Sequence, residues 1–513
     1  MLLNSLFDFD LYTKFKSGIR VINIKYDRFN HTCKSPVNAP DMIRSIVLKR
    51  FDLFIKLFFA GFIKLLQEVK SLNIIIPDYI KKAMKMLLDK GFQAYAVGGC
   101  IRDTLLDKQP NDWDVCTDCL PERIKEVFKD FRTIDTGIKH GTVSVMVDSE
   151  IVEITTFRSE GEYENHRRPL KVDFVSDLKE DLKRRDFTVN AMCCDINSDI
   201  YDFYNGIDDL NDGIIRCVGI PDERFEEDAL RILRGLRFAS VLGFEIDYST
   251  KSAMLKKKDL LKFISGERIR AELLKLLCGK NVETILNEYR DIFAVIIPEI
   301  KPCFDFEQNN PHHCYTVWEH ISKSVASVRP DPIIRMTMLL HDIGKPKMKT
   351  IDENGIYHFK KHQYVGAEMS KEILKRLKFD NHASDYIYHL IWEHDNRIPV
   401  KIKNIKKFIS KYDFHFIFDY LEVRRGDTYA QSEYKRGEKL KELDDIALIS
   451  FDILSSDACL KISDLKIRGN DLIDIGLSGK AIGDWLNKLL DMVIEEKIKN
   501  QKDILLNYVK ENI

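Results

Sequence analysis

Asp112 and Asp114 are separated by a single tryptophan, Trp113, shortly after a glycine pair, Gly98-Gly99. Residues two apart in a β-strand share a face, so a strand here would point both carboxylates the same way and bury the tryptophan opposite. Hard oxygen ligands at this spacing suit Mg²⁺, which also binds substrate phosphates. Two such ions could deprotonate an attacking hydroxyl group and stabilise a leaving pyrophosphate.

A third acid and a phosphate-binding turn are predicted beside this pair. Glu153, in the strand-like stretch IVEITTF, is the candidate for a metal ligand on a neighbouring strand. Gly98 and Gly99 precede a helix predicted to begin near Arg102. Exposed amides there would hold phosphate oxygens, and the guanidinium would add positive charge. A D-x-D motif alone is usually part of a solvated loop. Here the glycines, the arginine and the later acid all favour a metal and phosphate site instead.

The stretch GGCIRDTLL followed by DWD resembles the signature of polymerase-β-type nucleotidyltransferases. It is most similar to the family of class II tRNA nucleotidyltransferases, or CCA-adding enzymes, and bacterial poly(A) polymerases. The resemblance extends over most of the chain from about Ile75. RRDFTVNAM, from Arg184 to Met192, resembles the ribose-recognition motif of the family, and EEDALRILRGLRFA resembles its base-selecting helix. Asp107 stands where the family usually has glycine, in a connecting turn where we expect little effect.

The base-selecting stretch has acidic and basic residues spaced by three on one side of a predicted helix: Asp228, Arg231, Arg234 and Arg237. Without context these would be exposed helical ion pairs, such as Glu227 with Arg231. Aspartate only accepts hydrogen bonds and arginine only donates them. Cytosine and adenine present an amine donor beside a ring acceptor, and uracil and guanine present the reverse. The resemblance implies that Asp228 and Arg231 select C and A without a template, while Arg234 and Arg237 hold the triphosphate or the helix.

The ribose-recognition motif contributes Arg185, Asp186 and Asn190 to the predicted nucleotide site. Aspartate and asparagine can bond the sugar hydroxyls, and Arg185 suits a phosphate or a base. Asp186 could also cap the start of a helix.

A separate histidine-rich constellation lies in HHCYTVWEH, LLHDIGKP, HFKKH and LIWEHD. Four of its residues resemble the ligands of an HD-type phosphohydrolase domain: His320, His341, Asp342 and Asp395. Imidazole and carboxylate groups at these helical positions can converge on one divalent ion of the transition-metal class. Candidates for a second metal are His358, His362 and His394.

The predicted fold class is α+β, with a polymerase-β-like head of a small mixed sheet and helices, followed by an all-α neck and body and an α-helical HD domain. PDYIKKAMKMLLDKG predicts a helix with a glycine stop, and AYAVGG, DWDVCT, GTVSVMVD and IVEITTF predict strands. The predicted domains are an N-terminal extension (1–74), the head (75–220), the helical neck and RNA-binding body (221–310), the HD metal-binding domain (311–400) and a helical C-terminal tRNA-binding region (401–513).

The net charge of −1 over 513 residues gives no global signal for nucleic acid. Local basic clusters, including KKKD, GERIRAELLK and KIKNIKKFISK, would each be a solvated face or part of an RNA-binding track. Eleven scattered cysteines without a secretory leader indicate the cytoplasm. The apolar stretch FDLFIKLFFAGFIKLLQEV carries Asp52, Lys56 and Lys64 and is short for a membrane span. It predicts an amphipathic helix packed on the body, with a membrane-surface helix as the alternative; stable membrane association is not expected.

Together the resemblance implies a template-independent RNA nucleotidyltransferase that adds or repairs the 3′-terminal CCA of tRNA from CTP and ATP and releases pyrophosphate. Asp112 and Asp114 would hold Mg²⁺, assisted by Glu153. A poly(A) polymerase, or an enzyme that adds only A or only C, would share the same head. An HD phosphohydrolase whose head merely binds nucleotide, and a non-catalytic RNA-binding protein, are the alternatives of another class.

Overall fold

The computed structural model describes residues 74–134, 137–138, 141–160, 163–164, 168–169 and 172–513. The interpretation of residues 51–69 as an amphipathic or membrane-surface helix lies outside these residues. Within the described part of the chain, no helix combines the length and apolarity needed to cross a membrane.

A mixed seven-stranded sheet forms the centre of the head, in the order β11-β10-β1-β2-β5-β4-β3. The pair β2 and β5 is parallel and the other neighbouring pairs are antiparallel. The strands are β1 (Ala94–Val97), β2 (Asp114–Thr117), β3 (Thr133–Ile134), β4 (Thr142–Val147), β5 (Glu150–Thr156), β6 (Arg158–Glu160), β7 (Tyr163–Glu164), β8 (Arg168–Pro169), β9 (Val172–Phe174), β10 (Met192–Cys194), β11 (Ile200–Asp202), β12 (Ile214–Ile215), β13 (Glu245–Ile246), β14 (Thr350–Ile351) and β15 (Tyr357–His358).

Helices flank this sheet and make up most of the chain after it. In and beside the head they are α1 (Asp78–Leu88), α2 (Gly99–Leu105), α3 (Pro121–Val127), α4 (Leu178–Lys183) and α5 (Gly206–Asp212). The helices that follow are α6 (Pro221–Glu227), α7 (Leu230–Leu242), α8 (Tyr248–Lys257), α9 (Gly266–Leu277), α10 (Val282–Glu288), α11 (Arg290–Ile296), α12 (Val317–Ala326), α13 (Pro332–Leu340), α14 (His362–Arg376), α15 (Asn381–Glu393), α16 (Ile402–Lys411), α17 (Phe414–Tyr429), α18 (Arg436–Leu454), α19 (Gly469–Ile473), α20 (Lys480–Ile494) and α21 (Lys502–Lys510). The predicted α+β class is confirmed.

The predicted elements of the head agree with the structure, with one shift. Helix α1 buries Ile80, Met84 and Leu87, spaced as one face of a helix requires, and the chain turns at Gly91 with a positive φ of 83°. Trp113 is buried, as expected. The strand, however, begins only at Asp114, so Asp112 precedes it rather than sharing it.

The predicted continuous base-selecting helix is wrong at Asp228. This residue lies between α6 and α7 with an extended backbone, φ −134° and ψ 103°. Its Oδ1 accepts a hydrogen bond from the amide of Leu230, the first residue of α7. A side-chain acceptor at a helix start satisfies an amide that has no partner inside the helix, which is why aspartate favours restarting the helix over continuing it.

The end of the chain has a hydrophobic core of its own. The large core extends from the head sheet to α18. A smaller core, with Leu465, Leu489 and Val509 fully buried, joins α19, α20 and α21. Lys406 lies 3.0 Å from Glu496 and Lys407 2.5 Å from Glu495, which links α16 to the end of α20. In KIKNIKKFISK, the solvated-face interpretation therefore fits these two lysines better than an RNA-binding one.

Candidate functional site

A pocket of about 1120 Å³ collects the residues predicted to bind nucleotide. It is lined by all ten of them: Gly98, Gly99, Arg102, Arg185, Asp186, Asn190, Asp228, Arg231, Arg234 and Arg237. Asp112 and Asp114 also line it, whereas Glu153 does not. Cations that were not singled out in the sequence complete the wall: Lys108, Arg158, Arg184, Arg268 and Lys275. This excess of positive charge suits a ligand with several phosphates.

Two of the three acids of the head stand on neighbouring strands, and the third, Asp112, precedes the first of these strands. Asp114 of β2 is paired directly with Glu153 in the parallel register with β5. Burial raises the pKa of Asp114 to about 6, and the negative charges of Glu153 and Asp112 act in the same direction, partly offset by the positive Arg185. A carboxyl group with this surplus of negative neighbours fits a bound divalent cation, whose charge would favour the ionised form.

Gly98 lies where no side chain fits comfortably. Its φ is 88°, which L-residues rarely adopt, and a Cβ atom there would lie 3.1 Å from Nη1 of Arg185. The next residue begins α2, so the backbone at this turn faces the pocket at the helix start. The glycine therefore allows a phosphate-sized group to approach the chain closely.

The ribose-recognition motif forms a connected polar network. Asp186 is buried; Nε of Arg234 donates to its Oδ2 at 2.7 Å and Nδ2 of Asn190 donates to its Oδ1 at 3.1 Å. Burial would raise the pKa of Asp186, but Arg234 and Asn190 together hold it at about 2. Nη1 of Arg102 in turn donates to Asn190 at 2.5 Å. Asp186 is not a helix cap, because the short 3-10 helix Thr188–Asn190 begins after Phe187.

The two predicted base-selecting residues are each held by partners. Arg231 is buried; its Nη1 donates to Glu227 at 2.5 Å and its Nη2 donates to the backbone oxygen of Arg184 at 2.7 Å. Asp228 accepts a hydrogen bond from Nη2 of Arg268 at 2.7 Å. The Glu227–Arg231 pair exists, but it is buried in the pocket wall and not an exposed helical pair. An acceptor and a donor are thus fixed side by side.

Phe238, on α7, is surrounded by guanidinium groups that line the same pocket. The guanidinium carbon of Arg237 lies 4.1 Å from the ring centroid, that of Arg102 5.1 Å and that of Arg234 5.5 Å. Cation–π attraction and the carboxylate of Glu272, 3.2 Å from Arg237, keep these charges in place. These contacts keep the positive charges in fixed positions at the pocket wall.

Farther along the chain, four side chains bring their ligand atoms within 4.8 Å of one another: His320, His341, Asp342 and Asp427. Three of them were predicted; Asp427, on α17, was missed. Asp395, the predicted fourth ligand, is wrong for this position. Its side chain is 50 % exposed and lies 4.0 Å from Arg424.

A second group, Asp342 with His362 and His394, meets the same 4.8 Å limit and shares Asp342 with the first. His362 and His394 are therefore placed as second-metal ligands would be. His358 is not; its Nε2 lies 2.9 Å from Asp352 at an exposed site.

The histidines of both groups are oriented by the backbone. Nδ1 of each lies within hydrogen-bond distance of a carbonyl oxygen: Ala430 for His320, Met338 for His341, Phe359 for His362 and Ile391 for His394. This arrangement favours the tautomer with hydrogen on Nδ1, which leaves the Nε2 lone pair facing the shared aspartate. Among the residues that the structure describes, neither carboxylate oxygen of Asp342 finds a hydrogen bond of good geometry, although Nζ of Lys345 lies 2.6 Å away. This donor set fits one or two divalent metal ions.

The pocket over these ligands has a volume of about 450 Å³. Its wall includes four basic side chains: Lys345, Lys360, Arg397 and Lys439. Basic side chains next to a metal-ligand cluster suit an anionic ligand.

Three family models match separate parts of the chain. Residues 94–216 match the Poly A polymerase head domain, residues 243–304 the RNA and SrmB-binding site of polymerase A, and residues 360–509 the tRNA nucleotidyltransferase domain 2. The CCA-adding enzyme of Ligilactobacillus salivarius is 35 % identical over 451 residues, 85 % of this chain and 97 % of that protein. The CCA-adding enzyme of Lactobacillus helveticus is 33 % identical over 457 residues, 85 % of this chain and 98 % of that protein.

Among solved structures, the Bacillus stearothermophilus CCA-adding enzyme in complex with CTP is similar, with a TM-score of 0.64 and 25 % identity. The match covers 85 % of this chain and 98 % of that one. On the head pocket and these full-length likenesses, the chain belongs to the family of CCA-adding enzymes.

Proposed function

We propose that this chain is a template-independent nucleotidyltransferase that builds or repairs the CCA end of tRNA from CTP and ATP. One observation carries the proposal: the D-x-D acids, the ribose-recognition network and the base-selecting pair line a single pocket. The relatives named CCA-adding enzymes, and the similar structure solved with CTP, support it.

In the proposed reaction, the 3′-hydroxyl oxygen of tRNA bonds to the α-phosphorus of the nucleotide. The bond from the α-phosphorus to the bridging oxygen breaks, and pyrophosphate leaves. Asp112, Asp114 and Glu153 are the residues that would hold Mg²⁺, for which an all-oxygen ligand set is suitable. The ion would favour the ionised hydroxyl and neutralise the leaving group.

The protein's own residues bind and select the nucleotide. Arg102, Arg185 and Arg237 supply fixed positive charge for the phosphates at the pocket wall. Asp228 accepts from the exocyclic amine of C or A, and Arg231 donates to the ring nitrogen. With U or G, a buried polar group would stay unpaired, which costs about 1–3 kcal/mol for each group.

An end-resolved assay tests the proposal. tRNA transcripts that end before, within or after CCA are incubated with each labelled nucleotide, alone and together. We expect two C residues and then one A on the shortest transcript, one A on a transcript ending in CC, and no addition after CCA. Runs of A on every transcript would identify a poly(A) polymerase instead, and addition of only C or only A would identify an enzyme of that restricted kind.

The histidine-rich centre supports a second function, metal-dependent phosphoester hydrolysis. The specific observation is that two ligand groups share Asp342 and that four imidazole Nε2 atoms face them. Metal analysis of the purified protein, with hydrolysis of a chromogenic phosphodiester, tests this proposal. Protein that binds no transition metal and cleaves no ester would contradict it.

We also propose the five-domain division and a cytoplasmic site of action, where tRNA would be the substrate. The matches to the head domain and to an RNA-binding segment support the first boundaries. The metal-binding segment should extend beyond residue 400, because Asp427 of α17 contributes to its ligand cluster.

A further inference from the structure

Asp228, between α6 and α7, is held by a side chain of another helix. Nη2 of Arg268, in the first turns of α9, donates to Oδ2 of Asp228 at 2.7 Å. The other oxygen, Oδ1, accepts from the amide of Leu230 at 3.1 Å. Both carboxylate oxygens therefore have a donor from the protein, and these two contacts set the orientation of the carboxylate.

The backbone alone does not fix this carboxylate. Asp228 stands in extended backbone between α6 and α7, so it lacks the regular geometry that a helix would give its side chain. A short side chain there can rotate about its first bond unless something holds it. Arg268 is the side chain that does so from across the pocket wall.

Arg268 in turn has Asp228 as its main partner. Its Nη1 is buried without a hydrogen bond to any residue that the structure describes. The Arg268 and Asp228 side chains are only 29 % and 19 % exposed, so their ion pair is partly shielded from water. Partial burial strengthens the contact relative to a surface pair.

The same face of α9 also holds the phosphate-side arginines of α7. Glu272, four residues after Arg268, lies 3.2 Å from Arg237 and 3.6 Å from Arg234. Residues four apart share a helix face. One face of α9 thus places Arg268 against Asp228, just before α7, and Glu272 against the arginines of α7.

We infer that Arg268 is a positioning residue for base selection, which presents Asp228 to the base only as an acceptor. This inference rests on the proposed function. Arginine only donates, so it occupies one side of the carboxylate and leaves the remaining lone pairs to accept from the base. Without it, the carboxylate can rotate away, and the acceptor that matches the amine of C or A is no longer held in place. Selection against these bases would then weaken while the metal ligands stay intact.

The test compares two substitutions of Arg268 with a neighbour on the same helix. Arg268→Met keeps the apolar stem and removes the donors, and Arg268→Lys keeps one donor. Arg270→Met is the matched control, because Arg270 lies over the ring of Phe379 and does not line the pocket. kcat/KM is measured for all four nucleotides on a transcript lacking CCA, and thermal unfolding checks the fold.

We expect Arg268→Met to reduce the preference for CTP and ATP over UTP and GTP by about tenfold, the consequence of losing one buried contact. Arg268→Lys should restore most of the preference, and Arg270→Met should leave it unchanged. Adding Asp228→Asn to Arg268→Met should cause little further loss, because both changes act on the same carboxylate contact.

Two results would overturn the inference. An equal fall for all four nucleotides would make Arg268 a phosphate or RNA contact. A lower melting temperature with full selectivity would make it a structural residue only. A wild-type protein that showed no preference for CTP and ATP would instead contradict the proposed function, so the two failures are distinguishable.

Discussion

Asp114 lies directly opposite Glu153 in the parallel pairing of β2 and β5, so acids of two neighbouring strands stand in register. A D-x-D motif with an acid on the next strand is the minimum arrangement that the proposed transfer reaction needs. This pairing has a measurable consequence for stability as well as for catalysis.

Asp114→Asn should abolish nucleotide transfer and stabilise the metal-free protein at pH 7. Burial raises the pKa of Asp114 from 3.8 to about 6 in the folded protein, so the fold binds this proton more tightly than the unfolded chain does. The metal-free protein should therefore lose stability as the pH rises from about 4 to about 6. Asparagine removes that cost, a gain of roughly 1–2 kcal/mol in the free energy of unfolding.

Chemical denaturation between pH 4 and pH 8 in the presence of a chelator measures this effect. Asp112→Asn is the control; its side chain is exposed, so it should lose transfer without the gain in stability. A pH profile shared by the wild type and Asp114→Asn would refute the prediction.

Asp228→Ala or Arg231→Ala should relax nucleotide selection. Each removes one of the two groups that match C and A, and selectivity should fall by roughly ten- to a hundredfold. The acids of the metal site are untouched, so pyrophosphate should still be released from whichever nucleotide binds. Incorporation of all four nucleotides by each variant checks the prediction. If both variants keep wild-type selectivity, Asp228 and Arg231 have a structural role and do not select the base.

Arg234→Met should destabilise the fold by about 1–3 kcal/mol, because it leaves the buried carboxylate of Asp186 without its main cation. Since Arg234 and Asn190 hold the pKa of Asp186 at about 2, this acid stabilises the wild type above pH 4 and loses that contribution as the pH falls toward 2. The variant should show less of this acid dependence. Unfolding curves of the wild type and the variant from pH 2 to pH 7 measure this difference. Identical pH profiles would show that the Arg234–Asp186 ion pair does not stabilise the fold.

His341→Ala combined with Asp342→Ala should remove bound transition metal and any phosphoesterase activity, while CCA addition stays nearly intact. These residues belong to the histidine-rich centre and do not line the head pocket, so the effects should be independent. His358→Ala is the matched control, since this histidine lies outside both ligand groups. A folded double variant that cannot add nucleotides would show that the two centres depend on each other.

The sequence allowed the head site to be predicted because its residues lie in short motifs. Asp112, Asp114 and the Gly98 turn are close in the chain, and Glu153 follows from the strand pattern. Asp427 could not be found in this way, because it stands alone on a later helix and joins its partners only through packing. Asp395, which follows His394 directly, looked more plausible for that reason.

Arg268 and the break at Asp228 show the same limit. Spacing by three predicts one helix through Asp228, whereas capping of Leu230 and the ion pair with Arg268 favour an extended residue. The cap is local, whereas the ion pair depends on the tertiary placement of α9 beside Asp228. Local periodicity carries no information about such a partner.

CCA addition that depends on Asp114 is tested most directly by sequencing the 3′ ends of a tRNA that lacks CCA. The tRNA is incubated with CTP and ATP and with either the wild type or Asp114→Ala. We expect the wild type to complete the ends to CCA. The variant should still bind tRNA but keep less than about a tenth of that activity, because loss of the charge stabilisation by the metal raises the barrier by several kcal/mol. Completed CCA ends at near wild-type rates with Asp114→Ala would contradict it.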